Sequence, residues 1–509
     1  MNQRLSTLLF AAVLFTSGCQ ASQSEQVPPE ALLAGPITLT LNPNDITPLA
    51  AEAVFTTTVP TQISLTVTGE EPLTHDFEEV ATKHRIPILG LYPDTDNRVE
   101  IRITEPGKRY AEDTLTITTE PLPDVFPTID IVAADEEQVE PGWTLSDFSV
   151  GDDGVYRSQP FIFDGDGVVR WYLDATFTGG MTYLLKRLAN GNWVFAYDET
   201  VYEYDLLGAQ VNRWEMPGYA FHHEIVEKPD GNFLVAVSKA GTGTIEDHLI
   251  ELERTSGEIV KEWDFRDILD VERDDYNYSE RDWFHMNALY YVEADDSIIV
   301  SGRNQGLVKL TYEGDLVWLL APHKGWGAAG DGQNTADFLL TAVEADGSPY
   351  PDEVQQGTQE RDDFGWAWGQ HAPLLLPNGN LFVFDNGLMR NFSEKGDRFS
   401  RGVEYEVDES ALTVEQVWQY GKERGAEFYS SIISDVDYLP ETENRLIVPG
   451  IVRSEGVSRT LITEVTYPEG EVVFEAVIMF KNLLSTSDDL GFGQVDIIYR
   501  SERLPLYPE

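Results

Sequence analysis

The segment Gln370-His371-Ala372-Pro373-Leu374-Leu375-Leu376-Pro377-Asn378-Gly379-Asn380 reads as a strand followed by a tight turn. It has a counterpart in His223-Glu224-Ile225-Val226-Glu227-Lys228-Pro229-Asp230-Gly231-Asn232, where a proline again follows the histidine by six residues and a Gly-Asn pair by eight. His285 begins a similar frame ahead of Ala294-Asp295-Asp296-Ser297. Because equivalent positions of successive repeats occupy equivalent places around a common axis, we expect the three histidines to converge on one spot.

This strand-turn-strand frame recurs along most of the chain. The frames are Leu184 to Phe195, His223 to Val235, His285 to Val300, His371 to Phe384 and Asp435 to Val448. A second phrase, a glycine turn followed by a tryptophan, occurs at Gly167 to Trp171, Gly208 to Trp214, Gly257 to Trp263 and Gly314 to Trp318, with Trp418 in the fifth unit. Repeats of ~40 residues or more are typical of propeller blades. Five frames and a partial unit at Val155 to Leu173 predict six blades, closed by a last strand near Val495 to Tyr499.

The region before these repeats has a different pattern. Segments such as Gln62 to Val67 and Arg98 to Ile103 alternate apolar and polar residues between proline and glycine turns. Such alternation indicates a small antiparallel sandwich. The sequence therefore predicts an all-β protein, with a β-sandwich domain over residues 36–125 and a six-bladed β-propeller over residues 126–509.

The first 35 residues are interpreted as targeting and linker sequence. Arg4 provides a positive start, Leu8 to Phe15 an apolar stretch, and Thr16-Ser17-Gly18-Cys19 a cleavage site. A cysteine directly after Ser-Gly resembles a bacterial lipobox, so residues 1–19 are predicted to be a lipoprotein-type export signal with lipidation at Cys19. Residues 20–35 are predicted to be a flexible tether. These features predict a periplasmic protein, anchored to a bacterial membrane by lipid.

Composition limits the possible partners. The chain of 509 residues has a formal net charge of -53, a field that repels nucleic acid and anionic membrane surfaces. Cys19 is its one cysteine, so the folded part has no thiol for a disulfide, a thiolate metal site or a cysteine nucleophile. No later apolar run reaches the ~18 residues that span a bilayer. We therefore expect small-molecule partners, with membrane contact only through the N-terminal anchor.

Much of the chain resembles the bacterial arylsulfate sulfotransferases, enzymes that move a sulfuryl group between phenols without a nucleotide donor. The phrases that carry the resemblance are His84 to Pro93 with Asn97, Val169 to Tyr172, His222-His223-Glu224, His285-Met286-Asn287, Ser301 to Gln305, Gln370-His371, Phe384 to Gly387 and Tyr499 to Arg503. They occur in order across both predicted domains. The resemblance implies an aryl sulfate donor, a phenolic acceptor, no cofactor, no metal and a homodimer.

Carried over residue by residue, the resemblance makes His371 a nucleophile that takes the sulfuryl group as a sulfohistidine in a ping-pong reaction. It places His223, His285, Asn287 and Arg303 around the sulfuryl group. Arg303 and Asn287 suit an oxyanion, since a guanidinium and an amide both donate hydrogen bonds. Phe221, Trp366 and Trp368 are candidates for stacking on a phenolic ring, although propeller packing explains them equally well.

The acid and base that serve the phenol are left open between His223 and His285. Strand alternation predicts that His222 points away from the site, which favours His223. This chain has no cysteine for the disulfide that some family members carry near the active site.

Two other functions remain open. Three converging histidines can hold a metal ion for ester hydrolysis, although Arg303 opposes a cation there. The repeats can also form a non-catalytic propeller that binds a partner.

Overall fold

The computed structural model describes residues 25–152, 155–273, 279–393, 398–454, 457–481 and 496–508. The predicted export signal with Cys19, and residues 20–24 of the predicted tether, lie outside these ranges. Strands dominate, and the described helices are short, from three to six residues each. They are Pro29–Ala31, Thr176–Thr178, Phe265–Ile268, Glu280–Asp282, Thr335–Phe338, Asp352–Gln355, Arg390–Phe392 and Lys422–Glu427. Among the described residues, no helix is long and apolar enough to cross a membrane.

The N-terminal part forms one sheet of six strands. These are Glu25–Gln26, Thr38–Leu41, Ala51–Val67, Leu73–Ile88, Asp96–Glu105 and Arg109–Thr118. Ala51–Val67 pairs with Leu73–Ile88 through most of its length, with Thr38–Leu41 at its start and with Asp96–Glu105 at its end. Its alternate residues, among them Phe55, Ile63 and Leu65, are buried in the core. This is the alternation that the sequence predicted for the region.

Six further sheets follow, and we number them sheets 1 to 6. Sheet 1 contains Trp143–Asp152, Val155–Ser158, Phe161–Phe163, Val169–Tyr172 and Ile497–Leu504; sheet 2 contains Lys186–Arg187, Trp193–Tyr197, Thr200–Tyr204 and Gln210–Glu215; sheet 3 contains Tyr219–Glu227, Phe233–Lys239, His248–Leu252 and Ile259–Asp264. Sheet 4 contains Met286–Val292, Ser297–Gly302, Gly306–Thr311 and Leu316–Leu320; sheet 5 contains Thr341–Ala342, His371–Leu375, Leu381–Asp385, Arg401–Asp408 and Thr413–Tyr420; sheet 6 contains Thr128–Ala134, Asp435–Tyr438, Arg445–Val448, Val452–Ser454, Val457–Val465 and Val472–Met479. The five predicted strand-turn-strand frames are confirmed as antiparallel strand pairs, one in each of sheets 2 to 6.

The repeated tryptophans link each sheet to the next. The indole nitrogen of Trp171 in sheet 1 donates to the carbonyl of Leu206 in sheet 2 over 3.2 Å. Four equivalent bonds follow, from Trp214 to Arg254, from Trp263 to Tyr312, from Trp318 to the Glu409 carboxylate and from Trp418 to Pro468. Because a buried indole needs an acceptor, the glycine-turn-tryptophan phrase of the sequence has a structural purpose. It ties sheets 1 to 6 together in chain order.

The two ends of the repeat region exchange strands. Thr128–Ala134 pairs with Val472–Met479 in sheet 6, although it precedes sheet 1 in the chain. Ile497–Leu504 pairs with Trp143–Asp152 in sheet 1, which confirms the predicted pairing of the last strand with the first unit. The turn of sheet 1 at Gly167 lies against Ile129 of sheet 6. Sheets 1 and 6 are therefore neighbours as well.

Buried polar contacts fasten the N-terminal sheet to sheet 1. Arg170 donates to the carbonyls of Gly90 and Glu71 and pairs with Asp164 at 2.6 Å. At the C-terminus, the Tyr507 hydroxyl accepts from the Leu89 amide at 2.9 Å and donates to the carbonyl of Pro87 at 3.0 Å. These bonds pair the Arg170 guanidinium and the Leu89 amide, both buried, at the contact between the two parts.

Candidate active site

The first strands of the five repeated frames, with the residues just before them, and Ile497–Leu504 of sheet 1 surround a cavity of about 360 Å³. We call it the histidine pocket. Its lining residues are Tyr156, Met181, Tyr183, His222, His223, Glu246, His285, Arg303, His371, Ile432, Ile433, Ile497 and Tyr499. The three histidines of the repeated frames therefore meet at one place, as their spacing predicts.

The backbone departs from regular strand geometry where it enters the pocket. Tyr183, His223 and His285 all have positive φ, of 58°, 65° and 56°. Ala372, next to His371, has φ 51°. Residues that are not glycine seldom adopt this conformation, which costs of order 1–3 kcal/mol each and is concentrated at functional sites. His223 and Ala372 lie within strands, whereas Tyr183 and His285 come just before the first strands of sheets 2 and 4.

One of these distortions corrects the expectation for His222. Between Phe221 and Ile225, three residues oppose the single Ala236 of the neighbouring strand. Alternation fails across such a bulge. His222 and His223 consequently both line the pocket, with ring centroids 3.7 Å apart. The prediction that His222 points away from the site was wrong.

The protonation of His371 is set by its neighbours. Its Nδ1 lies 2.7 Å from Oδ1 of Asn386 and 3.1 Å from the carbonyl of Gly369, two groups that can only accept a hydrogen bond. The amide of Asn386 cannot turn round, because its Nδ2 donates to the carbonyls of Ser430 and Ile433. Nδ1 of His371 therefore carries a proton, which leaves the lone pair on Nε2.

Burial keeps His371 neutral. Its side chain is buried, and desolvation, with the nearby charge of Arg303, lowers the pKa of the imidazole well below its usual value. The hydrogen bond that Nδ1–H of His371 donates to Asn386 opposes this shift without reversing it. A neutral imidazole with a free Nε2 lone pair is a competent nucleophile at neutral pH.

His223 is neutral for similar reasons. Desolvation and the neighbouring imidazoles lower its pKa well below the usual value. The Tyr499 hydroxyl lies 2.8 Å from Nδ1 of His223 and donates to the carbonyl of Asn287 at 3.1 Å. The hydroxyl thus accepts from Nδ1–H of His223, so Nε2 of His223 has the lone pair.

His285 has the opposite electrostatic surroundings to His223 and His371. Its Nδ1 donates to the carboxylate of Asp282 at 2.9 Å and lies 2.8 Å from Oε2 of Glu246. Burial alone would lower the pKa of His285, but the two carboxylates outweigh it and raise the pKa. Nε2 of His285 lies 3.2 Å from Nε2 of His223, to which it donates its second proton. The pKa of His285 is thus raised, whereas the pKa values of His223 and His371 in the same pocket are lowered.

Arg303 and Asn287 have different positions relative to the pocket. Arg303 lines it, and its backbone amide donates to the carbonyl of His285. Asn287 is fully buried behind the wall, and its Nδ2 donates to the carbonyl of Gln370, the residue before His371. The sequence placed Asn287 against the sulfuryl group, whereas the structure places it where it supports the backbone of His371.

The aromatic residues expected to stack on substrate lie elsewhere. Trp366 and Trp368 are buried in the core between sheets 4 and 5, where Nε1 of Trp366 donates to the carbonyl of Val354. Phe221 packs in the core of sheets 2 and 3. None of the three lines the pocket, so packing accounts for them. Tyr156, Tyr183 and Tyr499 supply the aromatic walls instead.

Two groups in the pocket have the spacing of metal ligands. His222, His223 and Glu246 form one, and Glu246, Asp282 and His285 form the other; within each group the ligand atoms lie within 4.8 Å of one another. The hydrogen bond from Nδ1 of His285 to Asp282 would have to break for a cation to bind in the second group. The chemistry of the donors therefore allows a metal ion but also explains the geometry without one.

A second cavity of about 270 Å³ lies behind the histidine pocket. We call it the rear cavity. Adjacent residues face different cavities: Tyr499 faces the histidine pocket, and Arg500 faces the rear cavity. The charged residues of the rear cavity are Asp147, Lys186, Arg187, Glu224, Asp435, Asp437, Arg500 and Glu502. Glu224 is bound by Lys186 at 2.6 Å and Arg500 at 2.7 Å.

The sequence matches a known family over most of its length. The family model described as arylsulfotransferase matches residues 103–485, and a model described as the arylsulfotransferase Ig-like domain matches residues 38–120. The chain belongs to the arylsulfotransferase family. The N-terminal sheet of this family member corresponds to the Ig-like domain.

Two named relatives align with nearly the whole chain. The arylsulfate sulfotransferase AssT of Escherichia coli O6:H1 strain CFT073 is 28% identical over 575 residues, covering 93% of this chain and 94% of the relative. The protein of the same name from Lelliottia amnigena is 27% identical with the same coverage. Among solved structures, the Dos1 propeller matches with a TM-score of 0.31 at 8% identity, covering 87% of this chain and 92% of that one.

Proposed function

We propose that this family member transfers a sulfuryl group from an aryl sulfate to a phenol in two steps, through a sulfohistidine at His371. The observation that carries the proposal is the bond from Nδ1 of His371 to Asn386, which leaves a lone pair on Nε2 inside a pocket that contains Arg303. The family and the names of its relatives support the same substrate class.

In the first step, the lone pair of Nε2 forms a bond to sulfur while the bond from sulfur to the phenolic oxygen breaks. The electron pair of the broken bond stays on that oxygen, which takes a proton from the His285 imidazolium and leaves as phenol. Sulfuryl transfer resembles phosphoryl transfer in its loose transition state, so positioning and charge stabilisation dominate. The guanidinium of Arg303 is suited to bind the nonbridging oxygens of the sulfuryl group.

In the second step, neutral His285 takes the proton of the acceptor phenol as its oxygen attacks sulfur. The bond between sulfur and Nε2 of His371 breaks, and its electrons return to the ring. In both steps, Nδ1–H of His371 remains hydrogen-bonded to Oδ1 of Asn386, and this bond stabilises the positive charge on the sulfated ring. The protonation of the two imidazoles supports His285 over His223 as the acid and base.

We also propose that sheets 1 to 6 are the blades of a closed six-bladed propeller. The chain of tryptophan bonds, the strand exchange at the two ends and the contact of Gly167 with Ile129 support this arrangement. The Ig-like part over residues 36–125 and the propeller over 126–509 are the proposed domains. Lipidation at Cys19, a periplasmic location and a homodimer are proposed on the family resemblance and the export-type N-terminus.

The proposal is tested by the mass of the intact protein after incubation with an aryl sulfate. We expect a gain of one sulfuryl group, located at His371 by fragmentation and lost on addition of phenol. His371→Ala should gain nothing and should not turn over the donor. His323→Gln is a matched control, because His323 lies outside the pocket and bonds to the carbonyl of Leu340. Transfer to phenol without a sulfated protein would rule out the sulfohistidine.

Metal-dependent hydrolysis is the second candidate, since two groups in the pocket have metal-ligand spacing. Elemental analysis of the purified protein and assays after dialysis against a chelator separate the two. A stoichiometric metal whose removal abolishes turnover would favour the hydrolase.

A further inference from the structure

Glu246 is held firmly at the edge of the histidine pocket. It follows the strand Phe233–Lys239 and precedes His248–Leu252, and its backbone has φ 58°. Its amide donates to Oγ of Ser238, and its carbonyl accepts from the amide of Met286, the residue after His285. The side chain is 7–8% exposed. The position of this carboxylate is therefore set by sheets 3 and 4 together.

The two oxygens of Glu246 reach two different imidazoles. Oε1 lies 3.0 Å from Nε2 of His222, and Oε2 lies 2.8 Å from Nδ1 of His285. Asp282 also faces Nδ1 of His285, at 2.9 Å, but its side chain is 23% exposed. Water screens the charge of Asp282 more than that of Glu246. Asp282 thus aligns the ring, while Glu246 is the stronger source of charge.

The other groups around His285 oppose its protonation. They are Arg303, His371, His223 and His222, each a cation or a group that can become one. Burial opposes it as well. Glu246 itself has a pKa well below its usual range, because His222 and His285 outweigh the effect of burial on the carboxyl. A carboxylate that stays ionised can hold a proton on the imidazole beside it.

We propose that Glu246 is a positioning residue: its Oε2, 2.8 Å from Nδ1 of His285, holds that ring in the orientation and charge state that deliver a proton to the departing phenolate, and thereby sets which aryl sulfates the enzyme can use. This rests on the proposed function, in which His285 protonates the departing phenolate. A phenolate that is already a good leaving group needs little protonation, whereas a basic phenolate needs it fully. Glu246 therefore extends the range of donors to the sulfates of weakly acidic phenols. Because the second step is the reverse of the first, it also extends the range of acceptors to weakly acidic phenols.

The test compares Glu246→Gln with the unmodified protein on two donors, 4-nitrophenyl sulfate and unsubstituted phenyl sulfate. General acid catalysis contributes typically 10²–10⁴-fold. We expect kcat/KM to fall by about 100-fold or more on phenyl sulfate and by less than about 10-fold on the nitrophenyl donor. The alkaline limb of the pH profile should also move to lower pH, because the pKa of His285 falls. If the role of Glu246 were purely structural, kcat/KM would fall equally on both donors and the alkaline limb of the pH profile would stay in place.

Two further variants complete the experiment. Glu246→Asp keeps the charge but shortens its reach, so a smaller loss with the same dependence on the leaving group is expected; it carries the test if Glu246→Gln does not fold. Glu262→Gln is the matched control, since Glu262 pairs with Lys239 outside the pocket and lies 3.7 Å from His248. Its activity should be unchanged.

The outcomes separate this inference from the proposed function. Equal losses on the two donors, or no loss at all, would overturn the role of Glu246 while leaving sulfuryl transfer intact. Failure of the unmodified protein to transfer from either donor would instead overturn the proposed function itself.

Discussion

Replacing Asp435 by asparagine should stabilise the protein at alkaline pH and leave its stability at acidic pH unchanged. Asp435 stands at the start of the frame in sheet 6, and its side chain lines the rear cavity. Desolvation raises its pKa from 3.8 to about 7, against the attraction of Arg500 and Lys186. Glu502 and Glu224, which face the same cavity, raise it further.

The size of the effect follows from that shift. A group whose pKa is raised in the folded state favours folding only while it is protonated. Below pH 4 Asp435 is protonated both folded and unfolded, so it has no effect on the free energy of unfolding. Between about pH 4 and 7 the penalty grows, and above pH 7 about 3 units at 1.36 kcal/mol each amount to about 4 kcal/mol. Asparagine does not ionise, so Asp435→Asn removes this penalty.

Urea unfolding at pH 5 and at pH 8 measures the difference. The midpoint of Asp435→Asn should exceed that of the unmodified protein by much more at pH 8 than at pH 5. Asp315→Asn is the control, because Asp315 has an exposed side chain at a turn of sheet 4; its midpoint should differ from that of the unmodified protein by the same small amount at pH 5 and at pH 8. A change that is the same at pH 5 and pH 8, or a loss of stability that grows with pH, would refute the assignment of an electrostatic penalty to Asp435.

Two other substitutions test single contacts. Asn386→Ala removes the acceptor of Nδ1–H of His371, and the loss of such a bond at a buried group costs about 1–3 kcal/mol. The rate of sulfuryl uptake, measured by quenching the reaction and weighing the protein by mass spectrometry, should therefore fall by about 10- to 100-fold. An unchanged rate would show that the ring is held without Asn386. Tyr507→Phe leaves the Leu89 amide without its acceptor, so it should lower the free energy of unfolding by about 1–3 kcal/mol without changing kcat, and a change confined to kcat would contradict its purely structural role.

The sheets and their order could be predicted because their signals are local. A Gly-Asn turn between two short apolar runs specifies a hairpin whatever surrounds it. The tryptophans recur because each sheet presents the same indole to the next one, as Trp214 does to Arg254 and Trp263 to Tyr312. Repetition of this kind turns a local pattern into information about the whole fold. The convergence of His223, His285 and His371 followed from the same reasoning.

The inner arrangement of the site was beyond the sequence for two physical reasons. A bulge in a strand is specified by the packing of its neighbours, and the positive φ of His223 has no signature in a residue that is not glycine. Glu246 lies in the connection between two strands of sheet 3, outside every repeated frame, so no spacing relates it to His285. Trp366 and Trp368 stood close to His371 in sequence, but proximity in sequence does not specify which way a side chain points. An acidic residue near a histidine frame, checked against each frame in turn, is the signal that could have found Glu246.

The bulges explain how one ring of strands can serve two cavities of opposite character. In a regular strand, alternate side chains would face the same side, and His222 could not join His223 in the pocket. The bulge brings both imidazoles forward and sends the next residue, Glu224, into the rear cavity with Arg500. Each distortion costs of order 1–3 kcal/mol, which the hydrogen-bonded strands on either side must offset. Regular strands would avoid that cost, but His222, whose Nε2 lies 3.0 Å from Oε1 of Glu246, would then leave the pocket.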